Sequence, residues 1–225
     1  MAPRRTYNQN CPIALGLDVL GERWTLLILR ELVGGPRRYG DLRAELPGIA
    51  TNLLAERLKE LQDAGLVDRA ELPAPIGRTV YSLSDLGWQK CLPVLRSVAW
   101  LGLDRLEPVG SGPVSPLNGF LAGILLPFDP AGAADLELTC HADIDGRVFE
   151  FALRGGYFAA PKGEPSVTIT ARAADLLTAR LGDNEARRKA ALRRIDFTGD
   201  PDVVDAVRTA FALDEDPRSW GSAGH

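Results

Sequence analysis

Apolar positions recur at helical spacing through much of the first hundred residues. Ile13, Leu17 and Leu20 predict one helix, stopped by Gly21. Residues 24–32, WTLLILREL, predict a second and strongly apolar one, ended by Gly34-Gly35-Pro36. A short helix is expected around residues 39–46, with Arg37 and Arg38 at its start. Residues 47–67, PGIATNLLAERLKELQDAGLV, carry the clearest pattern. Leu54, Leu58 and Leu61 fall on one stripe, whereas Thr51, Asn52, Ala55, Glu56 and Lys59 fall elsewhere and are small or polar. Pro47-Gly48 breaks the chain before this helix and Gly65 ends it. The spacing then changes. Residues 67–72 and 79–83 read as strands joined by a connection too long for a tight turn but suited to a hairpin with an extended tip. Ser84-Asp85 caps a final helix to about Leu106, with Pro93 inside it as a kink or a late start.

A different pattern follows residues 107–116, EPVGSGPVSP, whose three prolines and two glycines mark a linker. Residues 117–126 are apolar and helix-like. Residues 136–142 and 148–153 alternate about a turn at 143–146, which predicts a hairpin. Residues 166–170, SVTIT, predict a strand, and 173–181 a helix capped by Thr170 or by Asp175 in its first turn. Residues 183–192 are polar and charged, and 195–199 predict a short strand. Asp200-Pro201 opens a last helix, 203–213, with proline at its preferred first position. The expected class is α+β: a first domain over 1–106, a linker over 107–116, a second domain over 117–213 and a frayed tail over 214–225.

Two helices joined by a sharp turn and followed by a hairpin make a winged helix-turn-helix. The segments CPIALGLDVLGERWTLLILREL, GGPRRYGDLRAELPGIATNLLAERLKELQDAGLV and VYSLSDLG resemble the HxlR family of bacterial transcription regulators, relatives of MarR, over residues 11–106. The resemblance implies double-stranded DNA as partner and a homodimer held by the first and last helices of the domain. Trp100, Leu101, Leu103 and Leu106 are the candidates for that contact, and each can equally pack inside one chain. One departure stands out: Ala50 replaces the family's usual serine before the reading helix, which leaves capping to Thr51 and shifts the helix start by one residue. The second domain is similar to the sterol-carrier-protein fold, a curved sheet under helices around an apolar tunnel. DGRVFEFALRGG, PSVTITARAADLLTARLGD and RIDFTGDPDVVDAV carry that likeness.

Charge sharpens the division. The net charge of −4 looks wrong for a nucleic-acid binder, but residues 1–110 hold 14 Lys+Arg against 13 Asp+Glu, and residues 111–225 hold 12 against 17. The two halves suit different partners. Three widely spaced cysteines argue against a disulfide framework and fit a reducing compartment. No apolar run reaches the roughly eighteen residues of a membrane span, and no secretory signal is seen, so a cytoplasmic protein is expected.

A reading helix presents its N-terminal residues to base edges. Asn52 suits adenine, Thr51 and Ala55 suit a thymine methyl, and Glu56 suits cytosine N4 or plain solvation. Arg37, Arg38, Arg43 and Arg57 are expected at phosphates, with Lys59 on the same helix and Arg78 at the wing tip. Residues 1–10 read as a mobile arm with Arg4 and Arg5. The family resemblance implies an oxidant- or electrophile-sensing cysteine at Cys11, which would need a thiolate; a lone cysteine is otherwise a small buried apolar group. Cys91 and Cys140 read as packing residues. In the second domain, Phe120, Leu121, Ile124, Phe149, Phe151, Tyr157, Phe158, Ile169 and Leu177 are candidates for a hydrophobic ligand cavity, which pattern alone does not separate from core. Arg187, Arg188, Lys189, Arg193 and Arg194 read as a solvated face with Asp183 and Glu185. His141 alternates with apolar neighbours and reads as structural. No HExxH, GxSxG, P-loop or GxGxxG is present, so neither an enzyme, a metal nor a cofactor is expected. The expected function is a regulator responding to a hydrophobic small molecule or a redox signal. The alternative is a hydrophobe carrier whose winged helix serves mainly dimerisation.

Overall fold

The stripe of leucines at 54, 58 and 61 lies in a helix of 13 residues, α4 (Thr51–Asp63), and all three side chains are buried. A computed structural model describes residues 6–72, 77–106, 110 and 112–213. Arg4 and Arg5, the hairpin tip 73–76, linker residues 107–109 and 111, and the tail from 214 lie outside them. Before α4 come α1 (Pro12–Leu20), α2 (Thr25–Val33), the two-residue strand β1 (Arg37–Arg38) and α3 (Tyr39–Glu45). After it come β2 (Val67–Glu71), β3 (Thr79–Leu83) and α5 (Asp85–Gly102). The three strands form an antiparallel sheet in the order β1-β3-β2.

Local chemistry explains the ends of α4. Ala50 is its N-cap in extended conformation and no side chain caps it. Thr51 is therefore the first helical residue, and the start is not shifted as expected. At the other end the amide of Leu66 donates to the Leu61 carbonyl and that of Gly65 to Gln62, with Gly65 at φ +70°. This is a Schellman closure, which needs a left-handed residue that glycine supplies without strain. Leu42, Leu46, Ile28, Leu29, Leu32, Val80 and Leu83 are among the other buried residues of this unit. Each buried leucine contributes about 1.5–3 kcal/mol.

The chain divides into two compact units, Met1–Cys91 and Leu92–His225. The boundary falls inside α5, upstream of the 107–116 stretch where a linker was expected, and Pro116 of that stretch is already the first residue of α6 (Pro116–Phe120). α6 runs into a single π-helical turn at Leu121–Leu125. The strands of the second unit are β4 (Glu137–Ile144), β5 (Arg147–Arg154), β6 (Tyr157–Ala159), β7 (Val167–Ala171) and β8 (Asp196–Gly199). Their order is β6-β5-β4-β7-β8, with β4 and β7 parallel and every other pair antiparallel. The helices are α7 (Ala173–Leu181), α8 (Glu185–Leu192) and α9 (Pro201–Ala210).

The β4–β5 turn is shorter than expected. Asp145 (φ 50°) and Gly146 (φ 80°) alone connect the strands, the positive pair that a two-residue hairpin favours. Asp145 does further work: its Oδ2 accepts from the Ala173 amide at 2.8 Å and so caps α7, a role expected of Thr170 or Asp175. α6 lies against the backbone of α7, and the π turn lies against the Leu176 side chain. A Cβ on Gly119 would fall 2.6 Å from Ala173 Cα, and one on Gly123 would fall 2.4 Å from Leu176 Cδ2.

Candidate functional site

α4 separates its residues by burial. Leu54, Leu58 and Leu61 face the core, while Thr51, Asn52, Ala55, Glu56 and Lys59 are exposed. At 3.6 residues per turn these five fall on one face. The first-turn amides lack a side-chain cap, because Ala50 has nothing to offer them. Tyr39, which the sequence reading did not single out, donates its hydroxyl to the Thr51 carbonyl and ties α3 to the start of α4. Its only sequence signal is a hydroxyl-bearing aromatic next to the arginine pair.

The cations sort differently from the expectation. Arg43 on α3, Lys59 on α4 and Arg78 beside the wing tip are exposed. Arg57 is not available to a phosphate: it is only 9% exposed, and its guanidinium pairs with Glu22 at 3.1 Å and with Glu60 one turn on. Position 57 lies three residues after Leu54 and one before Leu58, so the arginine stem packs beside the leucine stripe. Arg37 and Arg38 stand just before α3, as expected, with Arg38 as its N-cap. They form β1, pairing with Tyr81 and Val80 of β3, and the Arg38 amide donates to Asp41 Oδ2 at 3.1 Å. Adjacent strand residues point to opposite faces, so the two half-buried side chains do not share one direction.

Cys11 is the N-cap of α1, and the amides of Ala14 and Ile13 lower its thiol pKa. Burial drives the other two thiols the opposite way, Cys91 up to about 11 and Cys140 to about 12. Among the described residues no group of three or more His, Cys, Asp or Glu side chains gathers as metal ligands would. No described helix is long and apolar enough to cross a membrane.

The expected ligand residues mostly turn out to be core. Phe120 stacks on Phe149 at 4.6 Å, Phe151 lies 5.3 Å from Phe158, and Phe128 and Phe211 close the cluster. Ile124 and Ile169 are fully buried, and Tyr157 is 56% exposed. Seven of the nine candidates are therefore placed away from a cavity, because the rings fill the space under the sheet by packing on one another. Only Leu121 and Leu177 line the cavity of about 400 Å³ found in this unit. It lies among the end of α5, residues 110–114, α6 with its π turn, and α7. Leu103 and Leu106, expected at a dimer contact, line it too. The basic cluster is absorbed by the fold: Arg187 pairs with Asp183, Lys189 with Glu185, and Arg194 with Asp175, while Arg188 is buried and donates to the Gly182 carbonyl. His141 sits in β4 with Nδ1 3.3 Å from Glu150.

Comparison with known proteins concerns the first unit and the start of the second. The HxlR-like helix-turn-helix family matches residues 19–108. An uncharacterized HTH-type transcriptional regulator of Synechocystis is 41% identical over 97 residues, covering 43% of this chain and 71% of that protein. YvaP of Bacillus subtilis, also an HTH-type transcriptional regulator, is 33% identical over 102 residues, covering 45% of this chain and 94% of its own length. The HTH-type regulator YodB of the same organism is 37% identical over 81 residues, covering 36% and 72%. Among solved structures, the reduced form of YodB aligns at 31% identity and a TM-score of 0.37, over 44% of this chain and 95% of the other.

Proposed function

The chain belongs to the HxlR-like helix-turn-helix family of transcriptional regulators, and from that premise we propose that it reads double-stranded DNA as a homodimer through α4 and the β2–β3 wing. The observation that carries this reading is the exposed small polar face of α4 behind an uncapped N-terminus. Asn52 is set to pair with adenine and Thr51 and Ala55 to touch thymine methyls, with Glu56 at the edge of the contact. Arg43, Lys59 and Arg78 supply phosphate contacts, joined by Arg37 or Arg38 on the side that faces the duplex. The uncapped amides of α4 add a site for a phosphate oxygen.

The dimer is held by apolar side chains left in solvent. Ile13 (74% exposed), Leu15 and Leu17 stand out on α1, and Val98, Trp100 and Leu101 (75% exposed) on α5. The reader takes residues 1–106 in this proposal, and residues 117–213 form a sterol-carrier-like domain that receives a hydrophobic effector. Its mixed sheet packed on helices supports that assignment. Cys11, the one thiol with a lowered pKa, is the candidate for a second, redox input.

A gel shift with DNA from upstream of the protein's own coding sequence tests the reading. Wild type should prefer a specific site, and Thr51→Ala with Asn52→Ala should erase the preference while leaving weak general binding. No preference in the wild type at modest salt would instead favour the hydrophobe-carrier alternative. An oxidant response that survives Cys11→Ser would remove Cys11 as sensor.

A further inference from the structure

Resting on the effector role just proposed, we infer that the cavity at the end of α5 is the effector site and that it takes a mainly hydrocarbon molecule that carries no anionic group. Its volume of about 400 Å³ suits a drug-sized ligand. Among the described residues the wall is built from Leu103, Leu106, Leu121, Leu126 and Leu177 with smaller residues, and Asn118 is the one side chain of that set with hydrogen-bonding groups. No charged side chain lines it among the described residues. An anionic ligand would lose its hydration there and find no lysine or arginine among the described lining residues.

The far walls are fixed. Gly119 brings α6 onto the backbone of α7 at Ala173, and Gly123 brings the π turn onto the Leu176 side chain. The π turn is held at its middle and just past its end: the buried Arg180 donates to the Gly123 carbonyl, as well as to those of Phe211 and Ala212, and Arg96 Nε donates to the Leu126 carbonyl at 2.9 Å. The near wall is the end of α5. Its lining stripe is Ala99 and Gly102 of α5, continued by Leu103 of the 3₁₀ turn that follows and by Leu106 at the end of that turn. Val98 and Leu101, among the most exposed apolar residues of α5, lie off that stripe. The helix therefore carries two apolar faces, one left for a second copy of the chain and one for the ligand.

The test uses the full chain and two probes that share a ring system: neutral N-phenyl-1-naphthylamine and its sulfonated analogue 1-anilinonaphthalene-8-sulfonate. Gly102 has ordinary helical backbone (φ −86°), and a Cβ there meets nothing within 4 Å, so Gly102→Phe can fill the cavity without backbone strain. The neutral probe should brighten with wild type in saturable fashion, the sulfonate should bind about ten-fold more weakly, and Gly102→Phe should lose about ten-fold or more of the neutral probe's affinity. Gly102→Ala should keep it. If Gly102→Phe unfolds, Leu106→Asn at the exposed rim provides the same loss. Equal binding by the filled variants, preference for the sulfonate, or a changed sedimentation state of Gly102→Phe in place of a changed probe affinity would overturn the assignment. The fluorescence arm needs no DNA and the gel shift needs no probe, so failure of the cavity and failure of the regulator reading are told apart.

Discussion

Arg57 and Arg78 lie in the same winged helix-turn-helix, and sequence alone gives both to DNA. The structure separates them, and the salt dependence of binding measures the separation. Each phosphate neutralised by a protein cation contributes about 0.9 to the slope of log K against log salt. Arg78 is exposed and its backbone carbonyl, not its side chain, accepts from the Leu72 amide, so Arg78→Ala removes a charge and leaves the hairpin bond. With one Arg78 in each half of a dimer, the slope should become shallower by about 1.8, and between about 50 and 200 mM salt the deficit of the variant should shrink by about twelve-fold. Arg57→Met should leave the slope unchanged, because that guanidinium is already paired with Glu22 and Glu60. Its cost should instead appear as about 1 kcal/mol of stability, since both carboxylates remain partly solvated. Fluorescence anisotropy on a labelled operator across a salt series, with urea unfolding in parallel, reads both quantities. A slope that falls for Arg57→Met, or stays constant for Arg78→Ala, would refute the assignment of the reading face.

The buried Asp175 accepts from Arg172 Nε at 2.6 Å and from Arg194 at 2.6 and 2.8 Å. Burial pushes its pKa up, but the hydrogen bonds from Arg194 and Arg172 outweigh that and hold it below the usual carboxylate value. A depressed folded pKa contributes stability that is complete above about pH 5 and is lost as pH falls through the folded value. Asp175→Asn should therefore cost about 2 kcal/mol at pH 7 in urea unfolding, with the gap narrowing as pH falls below the ordinary carboxylate range; a pH-independent gap would show that charge is not its source. Gly119→Ala should lower stability by about 1–3 kcal/mol through the clash with Ala173, whereas Gly40→Ala, open on all sides in α3, should be neutral or slightly stabilising in the same thermal melt. Native-state alkylation should label Cys11 at neutral pH and reach Cys91 and Cys140 only on unfolding; labelling of Cys140 at the rate of Cys11 would contradict the burial that raises its pKa to about 12.

What the sequence conveyed was whatever depends on near neighbours. The leucine stripe of α4, the Schellman glycine and the Asp200-Pro201 helix start are all local, and all form where expected. β1 escaped because its pairing with Tyr81 and Val80 joins residues more than forty apart, which no local pattern around Arg37 and Arg38 shows. Arg57 escaped for a related reason: Glu60 is visible as an i, i+3 neighbour, but Glu22 belongs to another helix. The phenylalanines illustrate a deeper limit. Alternation in β4 and β5 shows which residues face inward, yet ring-on-ring packing decides whether inward means core or cavity. Leu103 and Leu106, which pattern leaves open between a dimer contact and packing inside one chain, line the space that the phenylalanines do not leave.

The placement of that space constrains any account of regulation. α5 is one helix from Asp85, directly after the wing strand, to Gly102, and the boundary between the compact units falls within it. Pro93 sits two residues past that boundary and has no amide to offer the Gln89 carbonyl, so the helix carries a weak point between its wing end and its cavity end. A ligand against residues 99–106 can influence α4 only by preferring one position of this helix over another, since equal affinity for both positions shifts nothing. Coupling of this kind typically amounts to about 1–3 kcal/mol, a five- to 150-fold effect. It is also reciprocal: whatever factor the neutral probe imposes on operator affinity, operator DNA must impose on probe affinity. A shared helix therefore makes regulation through this cavity a single number approachable from either end. Two unequal factors would mean that the probe acts on DNA binding from somewhere other than this site.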